Sequence, residues 1–260
     1  MRDLRFRMEG VAAHWHGGRA AVSTFFNNLS VFFPAGERFF IASVKAHRKY
    51  VTSPELERDV QAFCAQEGMH GREHVRYNEM LAAHGYPVVE MEARVKRLLD
   101  RVSRRLPKRA RLAVTCALEH FTALMAHMVL SDPGLLQGAD SEMARLWRWH
   151  AAEENEHKAV AFDVYQAAGG GYWLRVEMML GATLIFWLKV VEQQIRMMRA
   201  DGTLFSPRQW ADLLWFCFGK PGGLRRLLRP YLAFYRREFH PWDFDNRALL
   251  DDWRRGLSAA

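Results

Sequence analysis

Cysteine is scarce in this chain of 260 residues. Its three cysteines, Cys64, Cys116 and Cys217, show no Cys-x-x-Cys spacing, and an odd number leaves at least one of them unpaired. This usage argues against a disulfide framework and favours a reducing compartment. The first residues, MRDLRFRMEG, are charged throughout and lack the apolar core of a signal peptide, so a cytoplasmic protein is expected.

Long hydrophobic runs are lacking as well. The most apolar stretch, MMLGATLIFWL at 178–188, lies between Glu177 and Lys189. It is far shorter than the roughly 20 residues that are needed to cross a bilayer, so we expect a packed helix there. The alternative is a peripheral membrane contact, supported by LLWFCF at 213–218 and by the basic C-terminal region.

Basic residues outnumber acidic ones, which gives a net charge of +8, but no basic run with interleaved aromatic residues is present. The arginines occur as scattered pairs that are typical of solvated helix faces. Nucleic acid is therefore not an expected partner.

Strand-like alternation is hard to find, and apolar residues recur with helical spacing over most of the chain. The pattern predicts an all-α fold in three parts: an irregular aromatic segment over 1–35, a helical bundle over 36–170, and a C-terminal helical extension over 171–260 that packs on the bundle. We predict helices over about 36–51, 54–84, 90–105, 108–130, 140–168 and 172–199, and a shorter one after Ser206.

Glutamate and histidine recur in one order along the predicted bundle. A lone glutamate is followed by Glu-x-x-His, and this order occurs twice: Glu37 with Glu67 and His70, then Glu119 with Glu154 and His157. If each half folds as an antiparallel helical hairpin, the residue counts to the two turns bring its glutamates to the same height. Side chains three residues apart also share one helix face.

Four buried carboxylates without counter-ions would be destabilising by several kcal/mol each, and two divalent cations would cancel their charge. The donor set is rich in oxygen with one imidazole per cation, which favours iron, with manganese or zinc as alternatives. His74 and His150 are expected beside this site, as supporting residues or additional ligands. Glu73, Glu153 and Glu156 are expected on the surface.

The stretch QEGMHGREH at 66–74 allows a second interpretation. His70, Glu73 and His74 have the spacing of an inverted zinc-hydrolase motif, in which the two histidines bind zinc and the glutamate is the general base. This interpretation leaves Glu37, Glu119 and the second Glu-x-x-His without a role. We therefore prefer the dimetal interpretation.

The segments FPAGERFF, QEGMHGREH, ALEHFTA, LWRWHAAEENEHKAVAFDVY and FHPWDFD resemble a bacterial family described as predicted metal-dependent hydrolases, whose members resemble ferritin-like proteins. The resemblance covers most of the chain. It implies a ferritin-like four-helix bundle in which the helix predicted over 90–105 is a long crossover. It also implies that the metal ligands are Glu37, Glu67, His70, Glu119, Glu154 and His157.

These features favour a di-iron carboxylate enzyme with oxidase or oxygenase chemistry on a small hydrophobic substrate. A hydrolase that uses a metal-activated water is the alternative. A non-catalytic helical module that binds a membrane or a partner is the third hypothesis. The aromatic residues after position 170 could wall a substrate pocket or form a homodimer face.

Overall fold

The regular secondary structure of the described residues is helical. The structure, a computed structural model, describes residues 2–220 and 222–258, and within them the one β-type pairing is an isolated bridge between His16 and Ala139. The all-α prediction is confirmed. The α-helices are α1 Ala20–Lys45, α2 Pro54–Ala83, α3 Val88–Arg105, α4 Lys108–Ser131, α5 Ser141–His157, α6 Val160–Ala167, α7 Tyr172–Ala200, α8 Pro207–Phe218, α9 Gly223–Arg226, α10 Leu228–Ala233 and α11 Arg247–Ser258.

Three of the predicted helix starts carry side-chain caps. Ser53, Asp140 and Ser206 each accept hydrogen bonds from backbone N–H groups in the first turn of the helix that follows. Pro54 and Pro207 occupy the first helical position, where proline loses no hydrogen bond. These local signals explain why α2, α5 and α8 begin where the sequence predicts.

The prediction that residues 1–35 are irregular is wrong from Ala20 onwards, because α1 starts at Ala20 and ends at Lys45. Asn27, Asn28 and Pro34 look like helix breakers in the sequence, but distant partners compensate for the two asparagines. Asn28 Nδ2 donates to the carbonyl of Val190 at 2.7 Å. Asn27 Oδ1 accepts from Trp15 Nε1 at 2.8 Å and from the Tyr77 hydroxyl at 2.7 Å.

Pro34 is compensated in the same way. A proline inside a helix removes the N–H that would bond to the carbonyl four residues earlier, here that of Ser30. This carbonyl accepts from Asn78 Nδ2 of α2 at 3.4 Å. The loop and 3₁₀ turn over 46–53 replace the predicted last turn of the helix.

The single helix predicted over 140–168 is also wrong, because α5 ends at His157 and α6 starts at Val160. The sequence shows no glycine or proline at the break. Asn155 Nδ2 donates to the carbonyl of Ala151 at 2.9 Å and so competes with the helical ladder. The Lys158 ammonium donates to the carbonyl of Phe244 at 2.7 Å, which ties the break to the C-terminal segment.

Two helical pairs carry the predicted metal residues. α1 packs along α2, and α4 packs along α5, while α3 links the pairs and α7 lies against both α1 and α4. Within the described residues α4 is the one helix with the length and hydropathy of a membrane span, and 61% of its apolar window is buried in the fold. α7 has an exposed apolar stripe that includes Leu180, Leu184 and Leu188.

Candidate metal centre

The six predicted ligands lie in the interior where α1, α2, α4 and α5 meet. Each of them is at most 3% exposed. One helix supplies Glu37, the next Glu67 and His70, the third Glu119, and the fourth Glu154 and His157. The structure therefore brings all six side chains together from four separate helices.

The ligand atoms fall into two groups that share one carboxylate. Glu37, Glu67 and His70 offer atoms within 4.8 Å of one another, and so do Glu67, Glu119 and His157. Glu154 joins both groups, because its Oε1 lies 3.4 Å from His70 Nδ1 and 3.8 Å from His157 Nε2. Each group would hold one metal ion, and Glu67 and Glu154 are close to both groups.

Three of these glutamates, Glu37, Glu67 and Glu119, have no hydrogen-bond partner among the described residues. Both carboxylate oxygens of Glu37 and both of Glu119 are buried and accept no hydrogen bond from any described residue. Gly71 of α2 leaves the space for one of them, since a Cβ at this position would lie 2.8 Å from Glu37 Oε2. Buried carboxylates without donors are strongly unfavourable unless a cation compensates them, so this donor set fits a pair of divalent cations.

The pKa values follow from burial and mutual charge. Burial raises the pKa of Glu37 and of Glu119 well above the usual range of a carboxyl group, and the charge of Glu67 raises both further. Burial would also raise the pKa of Glu154, but His150 and His70 outweigh it and hold that pKa well below its usual value. Without cations, Glu37 and Glu119 therefore favour the protonated form, whereas two cations would allow both to ionise.

Two side chains that the sequence analysis did not predict orient the ligand histidines. Glu153 Oε2 lies 3.2 Å from His70 Nε2, which turns Nδ1 of this ring towards the centre. Gln66 Oε1 lies 3.0 Å from His157 Nδ1 and does the same for Nε2. Such contacts fix ring orientation in metal sites.

The prediction that Glu153 is on the surface is wrong. The run of alanine and aromatic residues around it shows that α5 has no solvent face there.

Glu73 is also buried rather than on the surface, and it faces away from the centre. Its carboxylate accepts from Arg72 Nε at 2.7 Å, from Arg76 at 3.2 Å and from the backbone N–H of Phe6 at 3.2 Å. These three donors occupy the carboxylate and hold the N-terminal segment against α2. The inverted zinc motif needs Glu73 beside His70 and His74, so the geometry disfavours that interpretation.

Glu156, the third residue expected on the surface, is partly exposed and bonds to Arg2 and Arg254.

A chain of buried hydrogen bonds starts at Glu92. Asn78 Nδ2 donates to Glu92 Oε1 at 2.7 Å, so Asn78 Oδ1 is the atom that faces Ser30. The Ser30 hydroxyl donates to this oxygen at 2.8 Å, which leaves Ser30 Oγ to accept from His74 Nδ1 at 2.9 Å. Burial lowers the pKa of His74 well below its usual value. His74 is therefore neutral, and its Nε2 is an acceptor.

The chain continues to the metal centre through His150. Its Nδ1 lies 2.9 Å from His74 Nε2 and donates to it. Burial lowers the pKa of His150 to about 4, so this ring is neutral as well. With a cation bound, the lone pair would sit on Nε2, which lies 3.1 Å from Glu154 Oε1. Without a cation, a proton on this nitrogen would bond to the Glu154 carboxylate, which is how His150 lowers the pKa of Glu154. His150 can serve as an additional ligand, whereas His74 orients it.

Two cysteines and the FHPWDFD segment belong to none of the metal-binding groups found among the described residues. The thiol of Cys116 donates to the carbonyl of Ala161 at 3.3 Å, and Cys64 is half-buried. In FHPWDFD, the side chains of His240 and Asp243 form a capping box on the 3₁₀ turn Pro241–Asp243. No metal-binding group that includes these residues is found in the described part of the chain.

Comparison with known proteins identifies the family of this chain. The model of one protein family, described as predicted metal-dependent hydrolase, matches residues 1–245. The chain belongs to this family. Neither the curated proteins nor the solved structures gave a match. Membership of a family of predicted metal-dependent hydrolases and the buried Glu and His groups both point to metal dependence.

Proposed function

We propose that this chain is a metal-dependent hydrolase that holds two divalent cations among its four glutamates and two Glu-x-x-His histidines. Glu37 and Glu119 carry the proposal, because their carboxylates are buried beside other carboxylates and accept no hydrogen bond within the described structure. The family description supports hydrolysis as the reaction. The cavity that His150 lines has mostly apolar walls, which include Phe25, Phe33 and Trp147, and this supports a small hydrophobic substrate.

When bound, such cations act as Lewis acids that polarise a carbonyl oxygen and lower the pKa of a water molecule. The protein's own residues orient the ligand side chains and exclude water from the site. Glu153 and Gln66 hold the ligand rings in place. Phe63 and Trp149 cover His157 and His70, with ring centroids 5.0 and 4.9 Å apart, and keep solvent from these rings. His150 Nε2 is available to bind a cation or to accept a proton.

Oxidase or oxygenase chemistry is the second candidate. A glutamate from each of two helices and Glu-x-x-His from each of two others is the donor set of ferritin-like di-iron carboxylate proteins. This likeness favours iron and a ferritin-like bundle. A non-catalytic module with the same metal centre is the third candidate.

One set of measurements separates the three. The protein is loaded in turn with zinc, manganese and iron(II), its metal content is measured, and it is tested on p-nitrophenyl esters of increasing chain length. We expect two metals per chain and ester hydrolysis that Glu119→Gln abolishes. Oxygen consumption by the reduced iron form without hydrolysis would instead support the second candidate. Metal binding with neither activity would support the third.

A further inference from the structure

A cavity of about 480 Å³ lies among α1, α3, α4 and α7. This volume is in the range of small-molecule binding pockets. Aromatic and aliphatic side chains form its walls, and among the described residues only Thr122, Arg101, Arg105 and Lys189 bring polar groups to it. Both arginines are exposed. The cavity thus combines an apolar interior with cations at its edge.

α3 and α7 run antiparallel along one side of this cavity. Arg196 pairs with Glu90 at 3.5 Å, and Arg94 pairs with Glu192 at 3.4 Å. A step of four residues forward on α3 therefore matches a step of four residues backward on α7. Continued in the same register, the two arginines of the cavity fall opposite positions 185 and 181 of α7, which are Ile185 and Gly181.

Arg101 and Arg105 of α3 consequently have no carboxylate opposite them on α7. α7 has no acidic residue between Glu177 and Glu192. Within residues 2–220 and 222–258 neither guanidinium takes part in an ion pair or hydrogen bond. Two unpaired arginines one helical turn apart, at the entrance of an apolar cavity, complement an anionic group.

We infer that this cavity binds a single-chain amphiphile, with its carboxylate or phosphate head at Arg101 and Arg105 and its hydrocarbon tail inside. A purely apolar ligand would leave both arginines unpaired, and a small hydrophilic anion would leave the apolar walls unfilled. The inference goes beyond the proposed function, because it names a ligand of the cavity and not the group that is hydrolysed at the metal centre. Binding is measured separately from turnover.

Phe33 connects the cavity with the metal centre. Its ring lines the cavity and also lies 4.5 and 4.4 Å, between centroids, from the rings of His74 and His150. Gly36, which precedes Glu37 on α1, is another lining residue. A tail that fills the cavity therefore ends one side chain away from the metal centre.

The test is isothermal titration calorimetry on the metal-free full chain with dodecanoate, dodecyl phosphate and dodecanol, each below its micelle concentration. We expect at least one of the two anions to bind about tenfold or more tightly than the alcohol, since a charge-assisted hydrogen bond contributes at least that much. The two anions distinguish a carboxylate from a phosphate ligand. Equal affinity for dodecanol and both anions would overturn the role of the arginines.

Variants locate the site. Arg101→Gln with Arg105→Gln should weaken anion binding about tenfold or more, whereas Arg104→Gln, on the same helix but outside the cavity, should leave it unchanged. Gly181→Leu should block binding, because its side chain enters open space in the cavity wall, and Gly181→Ala is the matched control. Unchanged binding in the arginine pair would contradict the inference. If no amphiphile binds while esters are still hydrolysed, the cavity proposal fails and the proposed function stands.

Discussion

Gly71→Ala tests the fit between α2 and Glu37 with the smallest change that the chain allows. The new Cβ would lie 2.8 Å from Glu37 Oε2. This distance is shorter than real Cβ contacts essentially ever are. The far end of a flexible side chain is the atom that gives way, so the carboxylate moves and α2 stays. Gly68→Ala, on the same helix, adds a Cβ with nothing within 4 Å.

The two variants should differ in metal affinity and not in helix stability. Replacing glycine by alanine in a helix stabilises it by about 1 kcal/mol, and we expect both metal-free variants to gain a stability of this order. Displacing a ligand is comparable to losing a supporting contact of a metal site, which weakens metal binding about 10- to 100-fold. Only Gly71→Ala should show this loss.

The assay combines urea unfolding of the metal-free proteins with competition for metal against a chelator of known affinity. A chelator titration resolves a tenfold change, which corresponds to about 1.4 kcal/mol. If Gly71→Ala binds metal as tightly as Gly68→Ala, Glu37 is not a ligand in the proposed position.

Three further predictions concern the metal centre and its surroundings. Burial raises the folded-state pKa of Glu37 and Glu119, so their contribution to stability is complete below the unfolded pKa and is lost as pH rises through the raised values. Thermal unfolding of the metal-free protein should therefore show stability that falls as pH rises above the usual range of a carboxyl group, and a variant with glutamine at both positions should show a smaller fall. Glu153→Gln should weaken metal binding about 10-fold or more by chelator competition, because His70 loses a charged partner. Glu73→Gln should retain the metal content but lose about 1–3 kcal/mol of unfolding free energy in urea, because the Glu73 carboxylate accepts hydrogen bonds from Arg72, Arg76 and Phe6. Loss of metal in that variant would favour the zinc-hydrolase interpretation.

The helices and the ligand set could be predicted because they depend on local signals. The capping residues Ser53 and Asp140 and the helical spacing of apolar residues define α2 and α5. The repeated order of glutamate and histidine could be read directly, and equal distances from the turns were sufficient to bring Glu37 close to Glu67.

Features that depend on partners far away in the chain could not be predicted. Asn27, Asn28 and Pro34 argued locally against a helix, and only their contacts with other segments allow α1 to start early. Glu153 looks like an ordinary charged residue in the sequence because His70 lies 83 positions away, and so does Glu73, whose contact with Phe6 spans 67 positions. Burial of a charge depends on tertiary neighbours, which spacing alone does not reveal.

Crystals of the metal-loaded protein, measured for anomalous scattering, test the central claim most directly. We predict two peaks about 3.5–4 Å apart, one beside Glu37, Glu67 and His70 and the other beside Glu67, Glu119 and His157. A single peak, or a peak between His70 and His74 with Glu37 and Glu119 left out, would contradict the account.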